Sequence, residues 1–254
     1  MIICKSASEI ELMKKAGEVV AEILLKIEQV IEPGITTGYL NKVAEKMMAS
    51  KNVIAAFKGY KSSISKKPYP SSICVSVNEE VVHGIPGSRI LKDGDLVSVD
   101  VGVKLKHFYG DAARSFKVGS TSKVVDKLFE ATYSALNLGI SKCALGNRLS
   151  DVSNQIEKRA ITDGFSVVKD FVGHGIGRSM HEDPQILNYG PPGHGPVLKK
   201  GMALAIEPML TEGTGDVEIL DDMWTVVTGD RKLSCHFEDT VAITENGPLI
   251  LTRI

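Results

Sequence analysis

The chain has 254 residues, 43% of them hydrophobic and 24% charged, and a formal net charge of −1. That is the composition of a soluble globular protein long enough to bury a full core, and its near-zero charge argues against nucleic acid or an acidic membrane as the main partner. Cys4, Cys74, Cys143 and Cys235 form no CxxC pair, and Lys5 ends the short apolar start, so we expect no zinc ribbon, disulfide framework, signal peptide or membrane span, and a cytoplasmic location.

In chain order, Ser8 with Glu11 predicts a capping box. The apolar period of Leu12, Ala16, Val19, Val20, Ile23, Leu24 and Ile27 predicts the helix it opens, and Pro33-Gly34 stops that helix. A second helix is expected from about Thr37 to Met48, with Leu40, Val43, Ala44 and Met47 on one face. The plan then recurs, with a helix near 123–138, a turn at Leu145-Gly146 and a helix near 149–160. Displacing the first half by 112 residues aligns Gly34 with Gly146, Leu40 with Val152, Ala44 with Ile156, Glu45 with Glu157 and Lys46 with Lys158. Each copy passes into a strand-like run, Val53 to Phe57 and Phe165 to Val168. Two helices followed by strands, twice over, point to a duplicated half-domain with pseudo-twofold symmetry. With no linker between the halves, a single domain over 1–254 is expected.

Three later runs alternate as strands do. In Asp95 to Val103, Val97, Val99, Val101 and Val103 face away from Asp100. Met202 to Pro208 sets Leu204 and Ile206 against Glu207, and Cys235 to Ile243 sets Phe237, Val241 and Ile243 against His236, Glu238 and Thr240. Most carboxylates sit in water. Asp100 and Glu207, however, have apolar or small neighbours and no lysine or arginine within three residues. A buried carboxylate is costly without a cation, so a metal is the economical account of both.

The stretch Phe171 to Pro184 holds His174 and His181, seven positions apart, with Gly173, Gly175 and Gly177 around the first. It reads either as a loop that lets a ligand approach the main chain or as a glycine-rich turn with a solvated histidine.

Together these segments carry a family resemblance. The motifs are Ser76-Val77-Asn78-Glu79, Val82-His83-Gly84-Ile85-Pro86-Gly87, Leu91-Lys92-Asp93-Gly94-Asp95, Val99-Asp100-Val101-Gly102, Gly110-Asp111 and Gly173-His174-Gly175-Ile176-Gly177. They continue with Lys200-Gly201-Met202, Ile206-Glu207-Pro208-Met209, Trp224-Thr225-Val226 and Phe237-Glu238. Over essentially its whole length the chain resembles the type I methionine aminopeptidases, which remove the initiator methionine from new polypeptides. The resemblance implies the α+β pita-bread fold, a duplicated half-domain around an antiparallel sheet, and a monomer.

It further implies a dinuclear centre of Mn, Fe, Co or Zn. Asp100 would chelate one metal, Asp111 and Glu238 would bridge both, and His174 and Glu207 would complete the other. Four carboxylates against two divalent ions leave such a site nearly neutral, and oxygen-rich ligation with one imidazole suits hard or borderline ions. A hydroxide shared by the metals would attack the scissile carbonyl, with Glu207 shuttling the proton and His83 and His181 contacting the substrate. By position, Phe57, Tyr60, Tyr69, Cys74, Met180 and Trp224 would form the methionine pocket, and Asn78, Glu80 and Ser234 a monovalent-cation site. The implied partners are nascent N-termini bearing a small second residue, with transient ribosome contact.

The chain departs from the family pattern twice. Residues 61–70 are longer than the usual turn before the Ser72-Ile73-Cys74 strand, and Asp239 stands where histidine is usual, as in the prolidase branch. Two rival readings follow: a proline-specific peptidase of the same fold, which is usually longer, or a non-catalytic pita-bread protein binding a partner or RNA, which would lack metal ligands.

Overall fold

The computed structural model describes residues 1–61, 65 and 67–254. Four helices carry the two halves: α1 (Ala7–Glu28), α2 (Thr37–Ser50), α3 (Lys123–Ser141) and α4 (Leu149–Thr162). α1 begins two residues earlier than expected. Its cap is Ser6, whose Oγ accepts from the backbone N–H of Glu9 while Glu9 bonds back to the backbone N–H of Ser6. Both Ser-x-x-Glu spacings suit a capping box, and here the one whose serine lies before the first helical residue closes it.

The duplication is exact in the α2/α4 units. Thr37–Ser50 and Leu149–Thr162 are each 14 residues long and stand 112 positions apart, and so do the short strands behind them, Ile54–Ala55 and Ser166–Val167. Gly34 and Gly146 both take a left-handed backbone before these helices, at φ 99° and 84°. Equivalent bridges, Thr36 to Ile90 and Arg148 to Val197, tie each unit to its own half. Only Ile54 and Ala55 of the expected run from Val53 to Phe57 pair as strand.

In the first half, Leu96–Leu105 is a long antiparallel partner of Phe108–Lys117 and also pairs with Cys74–Val77. The valine face predicted from alternation is fully buried, with Val97, Val99, Val101 and Val103 packed under α1 and α2. In the second half, Ala203–Ile206 lies between Gly173–Gly175 and Asp239–Thr244. The run expected as one strand from Cys235 to Ile243 is two, Ser234–His236 and Asp239–Thr244, because the chain changes partner at Phe237 and Glu238. At the break the backbones of Glu238 and Ala113 exchange two hydrogen bonds, at 2.9 and 3.3 Å, which joins the sheet of one half to that of the other. This is the α+β pita-bread architecture. No described helix is long and apolar enough to cross a membrane.

Candidate metal centre and substrate pocket

Sheet register brings the carboxylates together. Asp100 pairs with Ala113 and Gly102 pairs with Asp111, so Asp100 and Asp111 are diagonal neighbours on one face. His174 pairs with Ala205, which makes Glu207, two residues on, its diagonal neighbour in the same sense. The ladder that pairs Asp239 with Ile206 would place Glu238 opposite Glu207 at its next step. Ligand atoms of Asp111, His174 and Glu238 all lie within 4.8 Å of one another. His174 Nε2 is 3.6 Å from Glu207 Oε1 and 4.0 Å from Asp111 Oδ2.

The electrostatics of this group call for positive charge. Among the described residues, no lysine or arginine pairs with any of the four carboxylates, and Asp100 Oδ1, Asp111 Oδ1 and Glu238 Oε1 are buried without a hydrogen-bond partner. Burial pushes Asp100 up to about 7. It pushes Asp111, Glu207 and Glu238 well above the carboxylate range too, with the charge of the neighbouring carboxylates adding to the effect. His174 cannot supply the missing charge, because burial lowers it to about 3. Its Nδ1 lies 2.9 Å from the carbonyl of Gly175, which can only accept, so the proton sits on Nδ1 and the Nε2 lone pair faces the carboxylates. Three orphaned carboxylate oxygens and one free imidazole lone pair fit divalent cations.

The histidine stretch is a strand at its start. Gly173–Gly175 is buried between two neighbours. A Cβ on Gly173 would come within 2.4 Å of the Ala205 carbonyl, and one on Gly175 within 2.1 Å of the Asp183 carbonyl. These glycines therefore admit flanking backbone, where the reading of a ligand-approach loop expected room for a ligand. Beyond them, Glu182 Oε1 accepts from the backbone N–H groups of Arg178 and Ser179, and its Oε2 pairs with the buried Lys5 ammonium at 2.7 Å. That network fixes the turn carrying Met180 and His181.

The carboxylates line a cavity of about 300 Å³. His83 and His181 line it, as do Phe57, Tyr60, Tyr69, Cys74, Met180 and Trp224, so every residue predicted for substrate contact is present. Tyr69 and Trp224 meet edge to face at 5.2 Å, and the Tyr69 hydroxyl bonds the carbonyl of Gly84 at 2.9 Å. Burial holds the Cys74 thiol well above its ordinary value, so it stays a neutral, soft wall. His83 adopts a left-handed backbone, φ 61°, which is strained for a side chain of this size. Burial lowers it to about 4 and also lowers His181, so both are neutral imidazoles.

Sequence reasoning gave no role to Phe171, Lys61, Ile219, Met223 or Val226, which also line the cavity. Phe171 lies edge-on to His83 at 5.5 Å. Its place three residues before His174 was the available signal. Asn78 and Ser234 do meet, the Ser234 N–H donating to the Asn78 carbonyl at 2.8 Å. The side chains of Asn78 and Glu80 are committed elsewhere, to Asp95 and Leu96 and to Arg89 and Val77 respectively. A monovalent cation there would have only main-chain carbonyls. Of the long 61–70 segment, residues 62–64 and 66 lie outside the described residues, while the Lys67 carbonyl accepts from Trp224 Nε1 at 3.1 Å. Asp239 is fully buried, its two oxygens held by Arg114 at 2.6 Å, Arg253 at 2.6 Å and Thr252 at 2.8 Å. A histidine could not offer an anionic oxygen to each arginine, which accounts for the acid at this position.

The sequence pattern of metallopeptidase family M24 matches residues 11–245. The chain is 51% identical to a methionine aminopeptidase of Clostridium perfringens, over all of both chains. The crystal structure of methionine aminopeptidase from Thermotoga maritima superposes with a TM-score of 0.96 at 47% identity, again covering 100% of each chain. The prolidase of Pyrococcus furiosus shares the fold alone, with a TM-score of 0.76 at 24% identity, and this chain covers 66% of it.

Proposed function

The chain belongs to metallopeptidase family M24, in its methionine aminopeptidase branch, and on that premise we propose that it removes N-terminal methionine from peptides and nascent polypeptides with a small second residue. The observation that carries this reading is the junction of four carboxylates, Asp111 and Glu238 buried and Asp100 and Glu207 half-buried, and a neutral His174 with a cavity walled by Cys74, Tyr69 and Trp224. The catalytic unit is a single domain that draws on both halves, since Asp100 and Asp111 come from one and His174, Glu207 and Glu238 from the other.

Those five residues would hold two divalent ions, Mn, Fe, Co or Zn. When bound, such ions supply Lewis acidity that polarises a carbonyl and brings the pKa of water toward neutrality. The chain's own groups do the rest. The methionine side chain enters between Phe57, Tyr60, Tyr69, Cys74, Met180 and Trp224, where a thioether meets aromatic edges and sulfur. Glu207 takes the proton of the attacking water and delivers it to the leaving nitrogen. His83 and His181, neutral at working pH, each offer one N–H to the peptide oxygens as charge develops there. Work on nascent chains would require a cytoplasmic location.

A peptide panel tests the assignment. Metal-supplemented protein should release methionine from Met-Ala- and Met-Gly- peptides and leave X-Pro peptides intact. Cleavage confined to X-Pro peptides would instead favour the proline-specific branch of the fold.

A further inference from the structure

Among the described cavity residues, only His83 and Met223 combine a left-handed backbone with a side chain, at φ 61° and 65°. His83 has a role that repays the strain, and Met223 has had none. Methionine lacks the short polar side chain that lets asparagine or aspartate tolerate this region. The turn nevertheless holds it there. The Met223 N–H donates to the Leu220 carbonyl at 2.8 Å, and Asp222 Oδ1 accepts from the backbone N–H groups of Trp224 and Thr225 at 2.8 and 2.7 Å. Asp222 Oδ2 takes the Thr225 hydroxyl at 2.6 Å.

The side chain on this fixed backbone gains little from burial. Met223 is 45% exposed and Ile219 on the same hairpin 40%, yet both line the cavity, whereas Trp224, the next residue, is buried at 8%. The hairpin thus runs from the closed interior of the pocket at Trp224 to its open mouth at Met223. A peptide whose first side chain lies against Trp224 can leave past Met223. Strain kept on an exposed apolar side chain at a pocket mouth is explained if the contact forms only when substrate is present.

We propose that Met223, with Ile219, forms an outer subsite that grips apolar side chains of the substrate beyond its second residue. The inference rests on the aminopeptidase reading above. A flexible thioether suits this task, because it can pack against side chains of varied shape.

The test compares wild-type holoenzyme with Met223→Gly and Met223→Ala on Met-Ala, Met-Ala-Leu-Leu and Met-Ala-Asp-Asp, reading kcat/KM and thermal stability. In the wild type the leucine peptide should be the best substrate. Met223→Gly should lower the ratio of kcat/KM for Met-Ala-Leu-Leu over Met-Ala by about threefold to tenfold. It should also raise Tm by about 2–4 °C, because glycine relieves the backbone strain. Met223→Ala should lower the ratio similarly with no gain in Tm. An unchanged ratio in both variants overturns this inference alone. Failure of the wild type to release methionine from any of the three peptides defeats the parent reading and this inference with it.

Discussion

Tyr60 and His181, 121 residues apart in the chain, are joined by a 2.7 Å hydrogen bond between the Tyr60 hydroxyl and His181 Nδ1. Burial raises the Tyr60 hydroxyl above its ordinary value, so it stays protonated and can donate. With Nδ1 accepting, the proton of the neutral imidazole sits on Nε2. Seven residues earlier the opposite arrangement holds, with the proton of His174 on Nδ1 and its Nε2 free to ligate. One histidine therefore offers a lone pair and the other an N–H, although their rings are only 4.3 Å apart.

Tyr60→Phe removes the group that sets this tautomer. Loss of one neutral hydrogen bond of about 1 kcal/mol should lower kcat about fivefold. Metal content of the purified protein should stay at the wild-type level. Steady-state kinetics with metal analysis checks both, and a drop in metal content would place His181 among the ligands.

His83→Ala and His181→Ala should bind metal normally and lose turnover by about 10²-fold or more. Paired measurement of metal content and kcat separates the roles. A variant that folds but loses metal would refute the assignment of that histidine to the substrate.

Chelation should cost more stability at higher pH. The four carboxylates are raised in the folded protein, so the stability tied to their neutral forms is complete below the unfolded value and is lost as pH climbs through the folded one, about 7 for Asp100. The depressed histidines contribute the opposite trend, but only below their ordinary value near 6.5. Between pH 6.5 and 8.5 the carboxylate trend alone remains. Metal-stripped protein should therefore melt at lower temperature at pH 8.5 than at pH 6.5, and the increment in Tm from added metal should widen over that range. A metal-free Tm that rises across the interval would contradict the sign.

Asp239→Asn leaves Arg114 and Arg253 against a neutral amide in a fully buried position. Breaking such a cluster costs about 3 kcal/mol. Arg114 also donates to the Glu238 carbonyl, so metal affinity should fall along with stability. Denaturant unfolding and metal titration of the variant test this, and unchanged metal affinity would show that Glu238 is placed without its neighbour's help.

Periodicity carried the helices and the duplication because both depend on local side-chain pattern, and α2 and α4 repeat at the spacing read from Gly34 and Gly146. The start of α1 was off by two residues because Ser6-Glu9 and Ser8-Glu11 satisfy the same spacing, and only backbone geometry chooses between them. The break at Phe237-Glu238 was hidden for a different reason. Alternation continues through it, and what ends the strand is a change of partner from Met209–Thr211 to Ala203–Ile206, which is a tertiary event. Asp100 and Glu207 were legible as carboxylates among apolar neighbours. Asp111 and Glu238 needed the family resemblance, since their local sequence gives no such sign. Met223 could not be read at all, because a methionine beside a tryptophan looks like core until its backbone is seen to be left-handed.

Metal-dependent removal of an N-terminal methionine is read from release of methionine from Met-Gly-Met by protein that has been chelated and then resupplied with Mn, Fe, Co or Zn. Chelated protein should release none, and at least one of these ions should restore release, which Asp111→Asn should abolish again. Release that persists in the chelated protein, or no hydrolysis with any of the four ions, would contradict it.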